Sequence, residues 1–254
     1  MTYTAISPRG PRIALATSTD LFHWTRLGLV TFGPYHGIEV GAMDDKDASL
    51  FPLAVPNAAG HPELAMVHRP LFPGTRPEET ATDLPSRALV LDRESIWISY
   101  SPMPLDGNSP HKLGKFMSHS RLAAPVSPWE RLKIGGGTPP ILTRHGWLIV
   151  YHGVGGGAHL CYSAGAMVLS KEHPQKILYR SAHPVLTPTL PQERSGTIAN
   201  VVFPTGIDRR DDLGKPDRFD VYYGMADNRI GAARMHVPEV LPPGGIADPV
   251  EAKV

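Results

Sequence analysis

The run Lys133–Val154, KIGGGTPPILTRHGWLIVYHGV, decides how this sequence folds. Three consecutive glycines, Gly135 to Gly137, let the backbone take positive φ or pass close to another group. They lead into a short apolar strand at Pro139–Thr143 and a turn at Arg144–Gly146. A second strand from Trp147 to Tyr151 follows and ends at His152–Gly153. Two apolar runs about a tight turn predict a hairpin, with Lys133 and His152 as polar residues at its ends rather than inside it.

The same layout recurs. Met1–Ser7 is followed by Pro11–Asp20, Leu64–Pro70 by Ser95–Met103, Leu148–Val154 by Cys161–Leu169, and Asp220–Asp227 by Arg229–Met235. Each pair is an apolar or aromatic strand, a polar turn and a strand rich in small residues. Three of the pairs are preceded by a short strand with a proline near one end: Ala48–Pro52, Pro139–Thr143 and Val201–Thr205. That grammar gives at least three antiparallel strands per unit, with starts roughly 65 to 85 residues apart. Stacked radially, such units form an all-β propeller whose first strands line a central channel; a β-sandwich is the competing arrangement. The first unit lacks its inner strand, so the chain is expected to start partway through a blade and to leave a sheet edge open. Phe72–Arg93 and Leu105–Pro128 read as long surface loops, Asp211–Asp217 as a tight polar hairpin, and Ser170–Lys176 as the best short helix candidate.

Composition narrows the function classes. An apolar fraction of 41% and a formal charge of +1 argue against both disorder and a basic nucleic-acid-binding surface. Cys161 is the only cysteine, so no intrachain disulfide forms and a reducing, cytoplasmic setting is expected. MTYTAISPRG carries no basic-then-apolar signal, and no run is long enough to span a bilayer. Among twelve histidines there is no HExxH and no close Cys/His set, so no metal is expected. GxSxG is absent as well.

Polar residues at inner-strand ends converge on one mouth of a propeller. Asp44, Asp45, Lys46 and Asp47 stand directly before ASLFP, where a solvated turn is the alternative. His68 and Arg69 end a middle strand; a guanidinium fork suits a carboxylate, a phosphate or sugar hydroxyls, and could equally be tied to a neighbouring acid. Lys133 beside glycine-freed backbone N–H groups can help hold an anion. Glu193 precedes the inner strand ANVVFP and Asp227 follows VYYGM. Carboxylates facing one channel from different blades are what glycoside cleavage requires. Tyr162, Trp97, Trp147 and Tyr223 could stack on sugar faces, although strand aromatics are more often core.

At these positions the sequence resembles glycoside hydrolase family 130, the β-mannoside phosphorylases and β-mannosidases, which fold as five-bladed propellers. The matching segments are GPRIALATSTDLFHWTRLG, DKDASLFP, MVHRP, SIWISYS, KIGGGTPPI, GWLIVYHGV, ERSGTIANVVFPTG and YYGMAD, in family order. The resemblance implies a propeller over residues 1–236, of three and a half to four blades, with a tail over 237–254. It implies that Lys46, Asp47, His68, Arg69, Lys133, Tyr162 and Asp227 line a pocket for a mannosyl unit and its acceptor. Arg12, Arg69 and Lys133 are the implied phosphate ligands. In the phosphorylases phosphate attacks the anomeric carbon with inversion; in the mannosidases water replaces it, and Glu193 is the matching candidate base. No metal or organic cofactor is implied, only inorganic phosphate as co-substrate.

Two departures bear on that choice. The family's acid aspartate lies on an inner strand preceding the segment that begins MTYTA, which this chain does not have. Asp44 and Asp45 stand beside the lysine, where two carboxylates would repel phosphate, and Ser163 follows Tyr162 where the phosphorylases often carry arginine; both favour hydrolysis. The expectation is therefore an inverting enzyme acting on β-mannoside oligosaccharides by phosphorolysis or hydrolysis. A sugar-binding propeller without catalysis is the alternative. An open edge would favour a homo-oligomer, and neither nucleic acid nor membrane is an expected partner.

Overall fold

The structure, a computed structural model, describes residues 1–72, 93–102, 115–156 and 159–243. Four antiparallel sheets follow one another in chain order. The first holds β1 (Thr2–Ser7), β2 (Gly10–Thr17) and β3 (Thr25–Leu29), in that order. A two-stranded ribbon, β4 (Pro34–Tyr35) and β5 (Ile38–Glu39), leads on to the second sheet. There β6 (Asp45–Leu50) pairs with β8 (Pro62–Pro70), β8 with β9 (Ile96–Ser101), and β9 with β10 (Met117–Ala123), while the short β7 (Val55–Pro56) also pairs with β8. In the third sheet β11 (Lys133–Gly135) and β12 (Ile141–Thr143) both pair with β13 (Gly146–Gly155). Beyond β13 lie β14 (Cys161–Leu169) and β15 (Ile177–Arg180). A four-residue helix, α1 (Pro191–Arg194), precedes the last sheet of β16 (Val202–Arg209), β17 (Arg218–Met225) and β18 (Arg229–His236).

These are four blades of a β-propeller. Each apolar cluster joins neighbours: Ile13 of the first blade packs with Met66 and Trp97 of the second. Val67 and Ile98 meet Ile149 and Met167 of the third, and Val150 and Ala164 meet Val202 and Val221 of the fourth. Sheets covered on both faces explain why β9, β13 and most of β14 read as nearly unbroken apolar runs, buried along their length. By contrast β18, at the end of the series, alternates exposed with half-buried residues. Each large aromatic buried at these seams contributes roughly 2 to 3 kcal/mol.

Several expected boundaries move. β6 begins at Asp45, so Asp45, Lys46 and Asp47 lie within the inner strand and not before it. β13 continues through His152 to Gly155, because Gly153 and Gly155 find partners in Ser163 and Cys161. His152 is therefore fully buried inside the sheet, opposite Gly135, instead of ending the hairpin. Leu105–Pro128 is not one loop: its described part contains β10, where Leu122 and Ala123 give the strand a buried edge. Ser170–Lys176 forms turns rather than a helix. Val237, assigned to the tail, is buried against Leu148 and Phe219. Residues 73–92, 103–114 and 244–254, which hold most of the expected long loop and tail, lie outside the described residues.

Candidate active site

The pocket begins with a backbone irregularity. Between Lys46 and Ser49 the β6–β8 ladder slips, and Asp47 takes φ +57°, a left-handed conformation uncommon for a side chain larger than glycine. Lys46 remains opposite Arg69, while the Asp47 carboxylate accepts a 2.5 Å hydrogen bond from Arg69 Nε. A second arm of the same guanidinium pairs with Glu94. Burial pushes the Asp47 carboxyl up, but Arg69 and His152 outweigh it and hold the group below the usual range.

Across from this pair is the third blade. Glu94 bridges in parallel to Lys133, so the ion pair and β11 are fixed together. Lys133 is 8% exposed, with Nζ 5.5 Å from the centroid of the Tyr162 ring. Burial, followed by the charges of Arg69 and Lys46, draws its ammonium down to about 8. Burial and Arg69 lower Lys46 as well. The Tyr162 hydroxyl is pushed up chiefly by burial, within electrostatic reach of Arg69, Asp227 and Asp47. Asp227 stands exposed at the β17–β18 turn with φ +49°.

The glycines explain how close the walls come. A Cβ on Gly135 would lie 2.2 Å from Asp47 Oδ2 and 2.4 Å from His152 Cε1, and one on Gly136 would lie 2.6 Å from the Asp47 carbonyl. His152 Nδ1 is 3.0 Å from the Gly136 carbonyl and donates to it. That leaves Nε2 facing Asp47 Oδ2 at 3.7 Å, and burial draws the ring down to about 4. Phe203 of the fourth blade covers its face at 4.3 Å between centroids. A cavity of about 610 Å³ adjoins this cluster, bounded by Met1–Thr4, Asp47, Gly136, Gly137 and Phe203. That volume accommodates a disaccharide-sized ligand. β1, which no inner strand precedes in its sheet, is the sheet's edge as expected, and Thr2–Thr4 border this cavity.

The structure therefore gathers Lys46, Asp47, Arg69, Lys133 and Tyr162, with Asp227 at the rim. Three expected residues point elsewhere. His68 is 1% exposed and bonded to Asp45 and Ser99. The Arg12 guanidinium is engaged by Asp44 Oδ1 at 2.8 Å and the Ala42 carbonyl at 2.6 Å. Glu193 accepts from the backbone N–H groups of Thr189 (2.7 Å) and Leu190 (2.8 Å) and from the Tyr223 hydroxyl (2.8 Å). Burial pushes its carboxyl up, but those donors outweigh it and hold it low, so its lone pairs are committed to holding α1 and β17. Glu94 and His152 were missed. The residue before a strand start and a histidine opposite a glycine triplet were the available signals.

Asp44 and Asp45 also lose the role expected of them. Asp44 is neutralised by Arg12, and Asp45 is buried against His68, 2.7 Å away. Arg12 meets the Asp44 charge and Asp45 is buried in the sheet, which weakens the reason to expect phosphate repulsion. Among the described residues there is no group of three or more potential metal ligands.

Fold and site together define a β-propeller with a cluster of cations beside its channel cavity. The chain belongs to glycoside hydrolase family 130: the family described as beta-1,4-mannooligosaccharide phosphorylase matches residues 1–242. A 1,2-beta-oligomannan phosphorylase from Thermoanaerobacter sp. is 32% identical over 244 residues, covering 94% of this chain and 64% of that protein. A beta-1,2-mannobiose phosphorylase from Listeria innocua is 27% identical over 241 residues, covering 94% of this chain and 54% of that protein. The solved structure of the beta-1,2-mannobiose phosphorylase from Listeria innocua, in complex with beta-1,2-mannobiose, superposes with a TM-score of 0.67 at 28% identity, over 92% of this chain and 54% of that one. The chain thus spans just over half to just under two thirds of the length of these relatives.

Proposed function

We propose that this pocket binds inorganic phosphate beside a mannosyl unit, and that the protein cleaves β-mannosides by phosphorolysis with inversion. An oxygen of hydrogen phosphate attacks the anomeric carbon, the glycosidic C–O bond breaks, and the leaving oxygen takes up, in net balance, the proton that hydrogen phosphate gives up, giving mannose 1-phosphate and a shortened saccharide. The observation that carries this reading is the convergence of Lys46, Arg69 and Lys133 on two carboxylates, Asp47 and Glu94. Burial first, and then the charge of Arg69, draws both lysines down. An anion placed among them relieves that repulsion and is held by charge-assisted hydrogen bonds. The same cations stabilise the charge of an attacking phosphate. The relatives above, described as phosphorylases, point the same way.

The test is product analysis on β-1,2- and β-1,4-mannobiose with and without phosphate, paired with calorimetric titration of phosphate. Phosphate binding and phosphate-dependent release of mannose 1-phosphate are expected. Free mannose at the same rate in both conditions overturns phosphorolysis in favour of hydrolysis, and the absence of both turnover and phosphate binding overturns the site. Association of copies is part of the proposal, supported by the exposed Ile6, Leu21 and Phe22 of the first blade. The single, free Cys161 supports a cytoplasmic setting.

A further inference from the structure

His68 faces away from the pocket, yet every polar atom of its ring is engaged. Nδ1 lies 2.7 Å from Asp45 Oδ2 and Nε2 lies 2.7 Å from Ser99 Oγ. Ser99 Oγ is in turn 2.7 Å from His119 Nδ1, and His119 Nε2 is 3.0 Å from the Gly33 carbonyl. The last partner sets the direction of the whole chain, because a carbonyl only accepts. His119 Nε2 must carry a proton and donate it to Gly33. Burial draws His119 down to about 4, with His68 adding to the effect, so at neutral pH its Nδ1 is a bare lone pair. Ser99 therefore spends its one hydrogen on His119 and must accept from His68, which places a proton on His68 Nε2. The remaining contact, Nδ1 to Asp45 Oδ2, then needs one proton between two acceptors. The Asp45–His68 pair holds that proton and is neutral as a whole. Phe32 lies flat on the imidazole, with centroids 5.0 Å apart and planes at 15°, a face that favours positive charge on the ring.

We propose that His68 is a positioning residue for the pocket: protonated at Nε2 and sharing a second proton with Asp45, it locks β6 and β8 in the register from which Lys46, Asp47 and Arg69 reach the ligand. Asp45 immediately precedes Lys46 and His68 immediately precedes Arg69, the two residues facing each other in the ladder. The slip that turns Asp47 out begins one residue later. A clamp on the buried side of the sheet at that point fixes strands that would otherwise be free to close the bulge. Ser99 on β9 and His119 on β10 extend the same clamp to all four consecutive strands of the blade.

The ligand side of this inference rests on the phosphate reading above; the proton arrangement does not. Three measurements test it on the whole chain. ¹⁵N spectra at neutral pH should show a proton on His68 Nε2; an unprotonated Nε2 overturns the arrangement. The Arg69 Nε–H resonance, shifted downfield by its 2.5 Å bond to Asp47, should move back in His68→Phe, which keeps the stacking on Phe32 and removes both hydrogen bonds. Ser99→Ala, a smaller change that guards against misfolding of the first variant, should move it in the same direction. Phosphate affinity should fall about tenfold or more in His68→Phe and less in Ser99→Ala. An unchanged Arg69 resonance with affinity within about twofold of the parent overturns the positioning role. If the parent chain binds no phosphate, the proposed function falls, while the two spectroscopic readouts still decide the role of His68.

Discussion

Lys133 combines near-complete burial with the proximity of two other cations, which places its titration at about 8, well below the ordinary range for lysine. Phosphate affinity should therefore fall as pH rises through about 8, and Lys133→Met should remove that dependence together with most of the binding; calorimetry across pH 6.5–9.5 checks both. The stability sign runs opposite to the binding sign. In the unfolded chain lysine holds its proton to about 10.4, so between about 8 and 10.4 the unfolded state binds more protons and folding stability rises with pH. Glu193 makes a different case. Its carboxylate bonds two backbone N–H groups and Tyr223, so Glu193→Gln should cost about 1 to 3 kcal/mol of stability without shifting the acid limb of a pH–rate profile. A change in that limb with unaltered denaturant midpoint would return Glu193 to the role of base.

At the scale of elements, the pocket depends on β6 and β11 passing closer than side chains allow. The slip after Lys46 sends the Asp47 carboxylate towards Arg69, and the glycines of β11 and the turn after it leave the space it enters. Gly135→Ala puts a methyl 2.2 Å from Asp47 Oδ2; the carboxylate must move and the Arg69 bond with it. The expected result is phosphate binding weakened about tenfold or more, with a smaller loss of stability because the buried His152 ring, 2.4 Å from the methyl, must also shift. Gly137→Ala should destabilise more, because its methyl would meet the Val150 carbonyl at 2.3 Å, a backbone atom that cannot rotate away. Thermal melting beside ligand titration separates the two outcomes.

Across the whole molecule, the blades are held in sequence by shared apolar seams, and a buried ionic lock adds to them. Glu130, in the connection from the second blade to the third, accepts from Tyr151 Oη and Arg180 Nη2, both at 2.8 Å, and from the backbone N–H groups of Val126 and Ser127. All three side chains are fully buried. Removing one charge strands the other in the interior, so Arg180→Met should lose about 3 to 5 kcal/mol in denaturant unfolding. Replacing Glu130 and Arg180 together with apolar residues should lose much less. Equal losses for the single and double variants would show that packing, not charge compensation, sets the cost.

Hydrophobic patterning and turn chemistry were enough to specify the repeated strand pairs and to favour a propeller over a sandwich, because burial between blades demands long apolar runs and polar turns at regular spacing. Local pattern also placed Lys46, Asp47, Arg69, Lys133 and Tyr162 near strand ends on one face. What pattern could not supply was direction. His68 and Arg69 are neighbours in sequence, yet strand alternation sends one into the core and the other to the pocket, and only the β6–β8 register decides which. Arg12, Asp44, Asp45 and Glu193 look like free charges along the chain; in three dimensions each already has a partner. Glu94 and His152 entered the site for the complementary reason, that a bridge to Lys133 and a glycine opposite His152 bring distant segments within hydrogen-bond range. The fold was legible from one-dimensional periodicity, whereas the chemistry of the pocket depends on pairings across blades, which come into being only when the sheets close around the channel.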